Sequence, residues 1–425
     1  MKKYKNTIIF WVLLLIFTFS ENLLADLPQR QRVIFENREK WFGEKDPWSV
    51  SYDEETNSLY MKVWLEADKS PCALWNEKRR GNYILRANRV GDDYAHFIIP
   101  DDQSELDNIN CKLKEDVFSP NVVTLSDKSK YLFFVTGGYH SSLNQNATIH
   151  VAKWNPALKK WEINPEDQQM LKYVNTDGLE TLPIVTDNGL TLYFTSDSNR
   201  GEVGQPCDGT CACDDAGSYL AGTCFGQYKY VRDSLSEPFR PLADGKQVLS
   251  NGRIHYVYLR NVTIGGKFYE EWDGLAAMTK SDNNLFFFNG PDVSGKDWDH
   301  IWMAYWEGEK MIDAFDIKLI NGVPDEGLKE KPEVIADGSG LYWSSGKTAI
   351  TEKLYYLNLN EYIKARLVGD LNNDGLVNTK DVKKLIDIIF GWQQKSQAAD
   401  LNTDGEVNFI DLLSLIKLIL SAEAN

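Results

Sequence analysis

Asp370, Asn372, Asp374 and Asn378 fall at alternate positions, and Asp381 closes the run. Thirty residues later Asp400, Asn402, Asp404 and Asn408 repeat the pattern, and Asp411 closes it. Carboxylates and carboxamides at this spacing are hard oxygen donors. A calcium ion takes six to eight such oxygens at roughly 2.3–2.6 Å, and a twelve-residue loop supplies them from positions 1, 3, 5, 7, 9 and 12. Leu376 and Glu406 occupy position 7, where the backbone carbonyl is the ligand. Gly375 and Gly405 occupy position 6, where the loop turns sharply. Two loops imply two calcium ions. Aspartate in place of glutamate at position 12 draws the following segment closer to the metal.

These loops need elements to hold them. Val382, Leu385, Ile386 and Ile389 follow the first loop, and Leu412, Leu415, Ile416 and Ile419 follow the second. Both sets have the i, i+3, i+4, i+7 spacing of a one-sided helix. No helix is expected before either loop. The duplicated loop–helix unit, residues 369–425, resembles a type I dockerin. That resemblance implies calcium in both loops and noncovalent docking onto a cohesin-type domain of another protein. It also implies partner-reading positions just after the position-9 asparagines, here Thr379 and Lys380 in one half and Phe409 and Ile410 in the other. The pair of small hydroxyl residues common in the family is absent from the second half.

At the other end, Lys2, Lys3 and Lys5 precede an apolar run from Ile8 to Phe19. The run has the length of a signal-peptide core and is short of a membrane span. Residues 1–25 therefore read as an export signal, and the chain as secreted, with a periplasmic location as the alternative. The formal net charge of −16 disfavours nucleic acid as a partner. Six cysteines, Cys72, Cys111, Cys207, Cys211, Cys213 and Cys224, suit disulfides in an exported protein. Four of them crowd residues 207–224, where a zinc site is the alternative.

Residues 26–360 read as all-β, rich in aromatics, with a weak repeat in which an aspartate turn precedes an aromatic strand. Copies centre on Asp53, Asp127, Asp187, Asp282 and Asp337. A sheet repeated radially buries both faces against its neighbours, as in a β-propeller. Edge-like strands follow most copies, and residues 252–272 read as strands of a further blade. Six blades are favoured and five allowed. The segment with Glu180, Pro183, Asp187, Gly189, Leu192–Phe194, Ser196 and Arg200 resembles the TolB-type propeller repeat, which implies a binding scaffold. Residues 361–368 form a short linker. The fold class expected is thus an all-β propeller followed by a small all-α calcium-binding module.

No nucleophile elbow, zinc-protease helix, phosphate loop or dinucleotide fingerprint occurs. Glycoside hydrolysis needs only two suitably separated carboxylates; Glu180, Asp273, Asp299 and Glu333 lie at strand-like positions and are the candidates. Trp298, Trp302 and Trp306 alternate and share one strand face, as sugar-stacking or wedge-filling rings would. The leading expectation is a calcium-binding interaction protein whose propeller takes a polysaccharide or protein ligand. A propeller glycoside hydrolase or polysaccharide lyase carried by its dockerin is the alternative, and a purely structural calcium module is the second.

Overall fold

The computed structural model describes residues 31–43, 45–72, 79–137, 147–176, 179–196, 226–241, 339–345, 353–359, 379–392, 399–401 and 406–423, residues 369 and 371, and the strands between 263 and 334. It divides into two compact units, one made of residues 31–315 and 325–356 and the other holding the C-terminal helices. Residues 1–25, expected to be an export signal, residues 361–368, expected to be a linker, and residues 207–224 with their four cysteines lie outside the described residues. No described helix is long and apolar enough to cross a membrane.

The larger unit is a succession of antiparallel sheets. Strands β1 (Gln31–Arg32) and β2 (Ile34–Glu36) precede the first meander, β3 (Trp48–Asp53), β4 (Ser58–Leu65), β5 (Gly81–Val90) and β6 (Asp93–Ile98). The second meander is β7 (Val117–Thr124), β8 (Lys130–Thr136), β9 (Thr148–Asn155) and β10 (Lys160–Glu162). The third is β11 (Glu180–Val185), β12 (Thr191–Ser196), β13 (Gly226–Val231) and β14 (Arg240–Pro241). A two-stranded hairpin, β15 (Thr263–Ile264) and β16 (Lys267–Phe268), follows. The fourth meander is β17 (Ala276–Met278), β18 (Leu285–Gly290), β19 (His300–Glu307) and β20 (Lys310–Asp316). Strands β21 (Lys329–Val334), β22 (Gly340–Ser345) and β23 (Lys353–Asn358) form the last sheet, and β1 completes it beside β23. The N-terminal strand thus closes the C-terminal sheet.

First strands lie side by side: β21 against β3, β3 against β7, β7 against β11, and β17 against β21. This is a β-propeller. Its count departs from the six blades favoured on turn spacing. Among the described residues four sheets have four strands each, and a fifth has five because β2 joins β6 in parallel. Residues 252–272 supply only the short β15–β16 hairpin among the described residues. The strands expected as edge-like, β9, β13, β19 and β23, are third strands with an outer neighbour. Sequence alternation cannot see a partner contributed by a two- or three-residue strand.

Aromatic side chains fill the wedges between sheets, as expected of their area. Tyr52, Phe97, Tyr342 and Tyr356 belong to one cluster; Tyr60, Phe134 and Trp161 to the next; Phe133, Phe194 and Tyr228 to the third. Asp53 and Asp127 make the expected turns, accepting from the Glu55 and Ser129 amides at 3.3 and 2.8 Å. Asp53 also accepts from Lys130 Nζ at 2.8 Å, a buried ion pair. At the third turn Asn188 accepts from the Leu190 amide at 2.9 Å. Gly189 there has φ 70°, and a Cβ would meet Leu125 Cδ2 at 2.8 Å.

The repeat has a second signature. Each of β3, β7 and β11 contains a bulge built on a non-glycine residue of positive φ: Ser49 (45°), Ser119 (49°) and Leu182 (51°). Two residues later Ser51 Oγ accepts from the Val122 amide of the next first strand (2.9 Å), and Asn121 Oδ1 accepts from the Val185 amide (3.0 Å). These latches hold neighbouring first strands parallel and in one register.

Where the outer strands leave third-strand backbone uncovered, side-chain amides take their place. Asn110 brackets Ile84 of β5, donating to its carbonyl (2.8 Å) and accepting from its amide (3.0 Å). Gln103 brackets Arg86 at 3.0 and 2.8 Å. Asn175 and Gln168 bracket Ile149 and Val151 of β9 the same way. A backbone edge left bare invites pairing with another chain. We expect Asn110→Ala, which strips a buried residue of both bonds, to cost about 2–4 kcal/mol, since each orphaned buried group costs roughly 1–3. Thermal unfolding of the full chain measures it.

Candidate functional site

The C-terminal unit is built on two helices, Thr379–Ile389 and Phe409–Glu423, packed on a core of Leu371, Leu385, Ile388, Ala399, Leu415 and Ile419. Asn408 caps the second helix: its Oδ1 accepts from the Ile410 amide at 2.7 Å. Asp411 reaches back and accepts from the Asn408 amide at 2.8 Å, completing a capping box.

The two position-12 aspartates do the same work in each half. Asp381 Oδ1 accepts from the Leu371 amide at 2.8 Å, and Asp411 Oδ1 accepts from the Leu401 amide at 2.7 Å. Leu371 and Leu401, at loop position 2, send their side chains into or against the core. Each loop is thereby tied at its start to the helix at its end. Both aspartates are fully buried. A carboxylate is tolerated in such a place only where donors or a cation compensate its charge. Backbone amides are among the groups that compensate it. The donor chemistry fits calcium. Asp381, Asp400, Glu406, Asn408 and Asp411 are described; Asp370, Asn372, Asp374, Leu376, Asn378, Asn402 and Asp404 lie outside the described residues.

Thr379 and Lys380 are exposed at the start of the first helix. Phe409 and Ile410 hold the corresponding positions of the second and are 57% and 55% exposed. Two residues absent from the sequence-based set stand beside them. Phe390 and Trp392, just past the first helix, are 55% and 72% exposed. Their rings stack at 5.3 Å, and Phe390 meets Phe409 edge-on at 6.1 Å. A helical stripe points to the core, so residues off its end carried no signal.

In the propeller, Glu180 opens β11 and is fully buried. Its carboxylate accepts from Thr176 Oγ1 (2.6 Å), the Thr176 amide (3.1 Å) and Ser196 Oγ (3.0 Å). Glu333 lies on β21 and Trp302 and Trp306 on β19, while Asp273, Asp299 and Trp298 lie outside the described residues. Two acids were missed. Asp46 and Asp116 each stand five residues before a latch residue, Ser51 or Asn121, so they occupy equivalent places at one end of adjacent first strands. Glu180 stands four before Ile184 on the next. The segments DPWSVS and DVFSPN share an acid, an aromatic and a serine at fixed spacing, a signal obscured by attention to the turns. Asp46 is buried against Arg38 Nη2 at 3.0 Å and accepts from the Leu354 amide. Asp116 pairs with Arg79, accepts from Asn82 Nδ2 at 3.0 Å, and is about one-fifth exposed. Elsewhere, burial holds the His150 imidazole below its usual pKa, and burial raises that of Glu105 despite the neighbouring Arg86.

Of the cysteines, Cys72 and Cys111 are disulfide-bonded, with Cα atoms 5.4 Å apart.

Comparison with known proteins agrees on two levels. Residues 368–420 match the Dockerin type I domain. No curated protein matches the chain. Among solved structures, a putative glycoside hydrolase from Parabacteroides distasonis shares 12% identity, over 80% of this chain and 94% of its own, with a TM-score of 0.40. A member of the GH130 family of mannoside phosphorylases and glycoside hydrolases shares 10%, over 79% and 95%, at 0.40. A family 117 glycoside hydrolase from Zobellia galactanivorans shares 11%, over 78% and 90%, at 0.40. The expected TolB-type likeness is not supported. At such scores nothing about activity is argued from them. Dockerin type I domains bind calcium and dock onto cohesin partners. Residues 368–420 of this chain are a dockerin type I domain, carried with a β-propeller.

Proposed function

We propose that the protein is a secreted calcium-binding docking protein. Its dockerin attaches noncovalently to a cohesin-type partner, and its propeller presents a surface to a polysaccharide or protein ligand. One observation carries this reading: within the matched segment, both position-12 aspartates are buried and tied to the start of their loops. Calcium supplied to both loops places a cation beside those carboxylates and rigidifies the helix pair that the partner reads. The test titrates the full chain against a panel of purified cohesin domains. Binding in calcium that weakens by at least about 100-fold in chelator is expected, because the metal supplies folding free energy of several kcal/mol. No binding to any cohesin would remove the docking function.

A second reading, glycoside hydrolysis, rests on the acids at one end of β3, β7 and β11. Asp116, the partly exposed one, is the group a substrate reaches, whereas Glu180 and Asp46 are buried. Release of reducing ends from a polysaccharide panel, abolished in Asp116→Asn, is the outcome that supports it; silence across the panel sinks it.

A further inference from the structure

The dockerin repeats its loops, its closing aspartates and its position-2 latches, so its backbone offers a partner two equivalent ends. Its surface does not. At one end stand Thr379, Lys380 and Lys383, all exposed. The residues thirty positions on are Phe409, Ile410 and Leu413. Phe390 and Trp392 adjoin that second end, and their counterparts in the repeat are Leu420 and Ala422. One end is cationic and polar; the other is a continuous aromatic and aliphatic patch. Large apolar groups at this exposure, four together on so small a unit, mark an interaction surface.

We propose that the dockerin binds its partner in a single orientation, through the patch of Phe390, Trp392, Phe409 and Ile410. The occupant is a folded protein domain of the cohesin type whose docking face presents an apolar pocket, and Trp392 is the side chain that enters it. This rests on the docking function proposed above. Two features on the surface support that occupant. The patch is continuous with Phe409 and Ile410, the positions through which dockerins of this type read a partner. Lys380 and Lys383 are exposed at the other end, while the four exposed side chains at the aromatic end carry no charge, so an apolar docking face fits that end better than an acidic one. Buried aromatic anchors dominate binding energy at such interfaces, whereas charges at a rim contribute little.

The experiment uses the calcium-loaded full chain and a purified cohesin domain that binds it. Trp392→Ala and Phe409→Ala are each expected to weaken binding by at least about 30-fold, as central aromatic anchors do. Both side chains are mostly exposed, so neither change removes core packing, and calcium stoichiometry measured on the same samples stays unchanged. Lys383→Ala is expected to leave affinity within about twofold. A loss for Thr379→Ala equal to that for Phe409→Ala would overturn the single orientation while leaving docking intact. Failure of the unmodified chain to bind any cohesin overturns docking itself. Sedimentation showing a dimer dispersed by Trp392→Ala would make a second copy the occupant and overturn the assignment of partner.

Discussion

Asp411→Ala is expected to lower calcium uptake by one ion and to melt the second helix, Phe409–Glu423, while the propeller stays folded. The side chain does three things. It holds the Leu401 amide at the start of its loop and the Asn408 amide at the helix cap, and it is the carboxylate at loop position 12. Losing it leaves two backbone donors without their acceptor, about 1–3 kcal/mol each where they are buried, before any loss of metal. The unit around it has a core of six buried hydrophobic side chains, and a module that small depends on its metal for stability. Isothermal titration with calcium reads the stoichiometry, and far-UV circular dichroism of the same sample reads the helix. Asp381→Ala has the matching effect on the first loop through the Leu371 amide. Full calcium uptake in both variants would contradict the assignment of the loops.

The second large effect belongs to the propeller. Cys72 and Cys111 are 39 positions apart and both are buried. Closing a loop of that length restricts the unfolded chain by about 4 kcal/mol in the chain-entropy account. Asn110, which brackets Ile84, is the residue before Cys111, so the bond also anchors the amide that covers the edge of β5. We therefore expect Cys72→Ser/Cys111→Ser to lower the unfolding free energy of the propeller by about 3–4 kcal/mol. The mutant should also raise hydrogen exchange at Ile84 and Arg86 above that at Ile149 and Val151, which the second bracket protects without a disulfide. Equal exchange at the two edges would show that the brackets hold unaided.

The calcium loops are read from local chemistry. A calcium loop takes its ligands from one stretch of twelve residues, so residue type and spacing suffice to read it. The helices that follow were legible for the same reason, through their apolar stripes. The aspartate turns at Asp53 and Asp127 are likewise local, and their aromatic strands are where expected. The blade count was not legible. It depends on β1 joining β23 and on β10 and β14, outer strands of three and two residues, none of which has a period to detect. Asp46 and Asp116 escaped notice because what makes them equivalent is the register between first strands, set by Ser51 and Asn121 across about seventy residues and sixty-four residues of chain.

By itself the sequence determined the two helices of the C-terminal module and an all-β body built of repeats, because short-range spacing encodes each of these; its calcium expectation is supported by the dockerin match. Tertiary structure decided what the spacing leaves open. It brought Phe390 and Trp392 beside Phe409, since two packed helices set the end of one against the start of the other. It buried Glu180 on three hydrogen bonds and left Asp116 within reach of solvent. Exposure and adjacency are properties of packed elements, and they separate an acid that supports the fold from one that can meet a ligand.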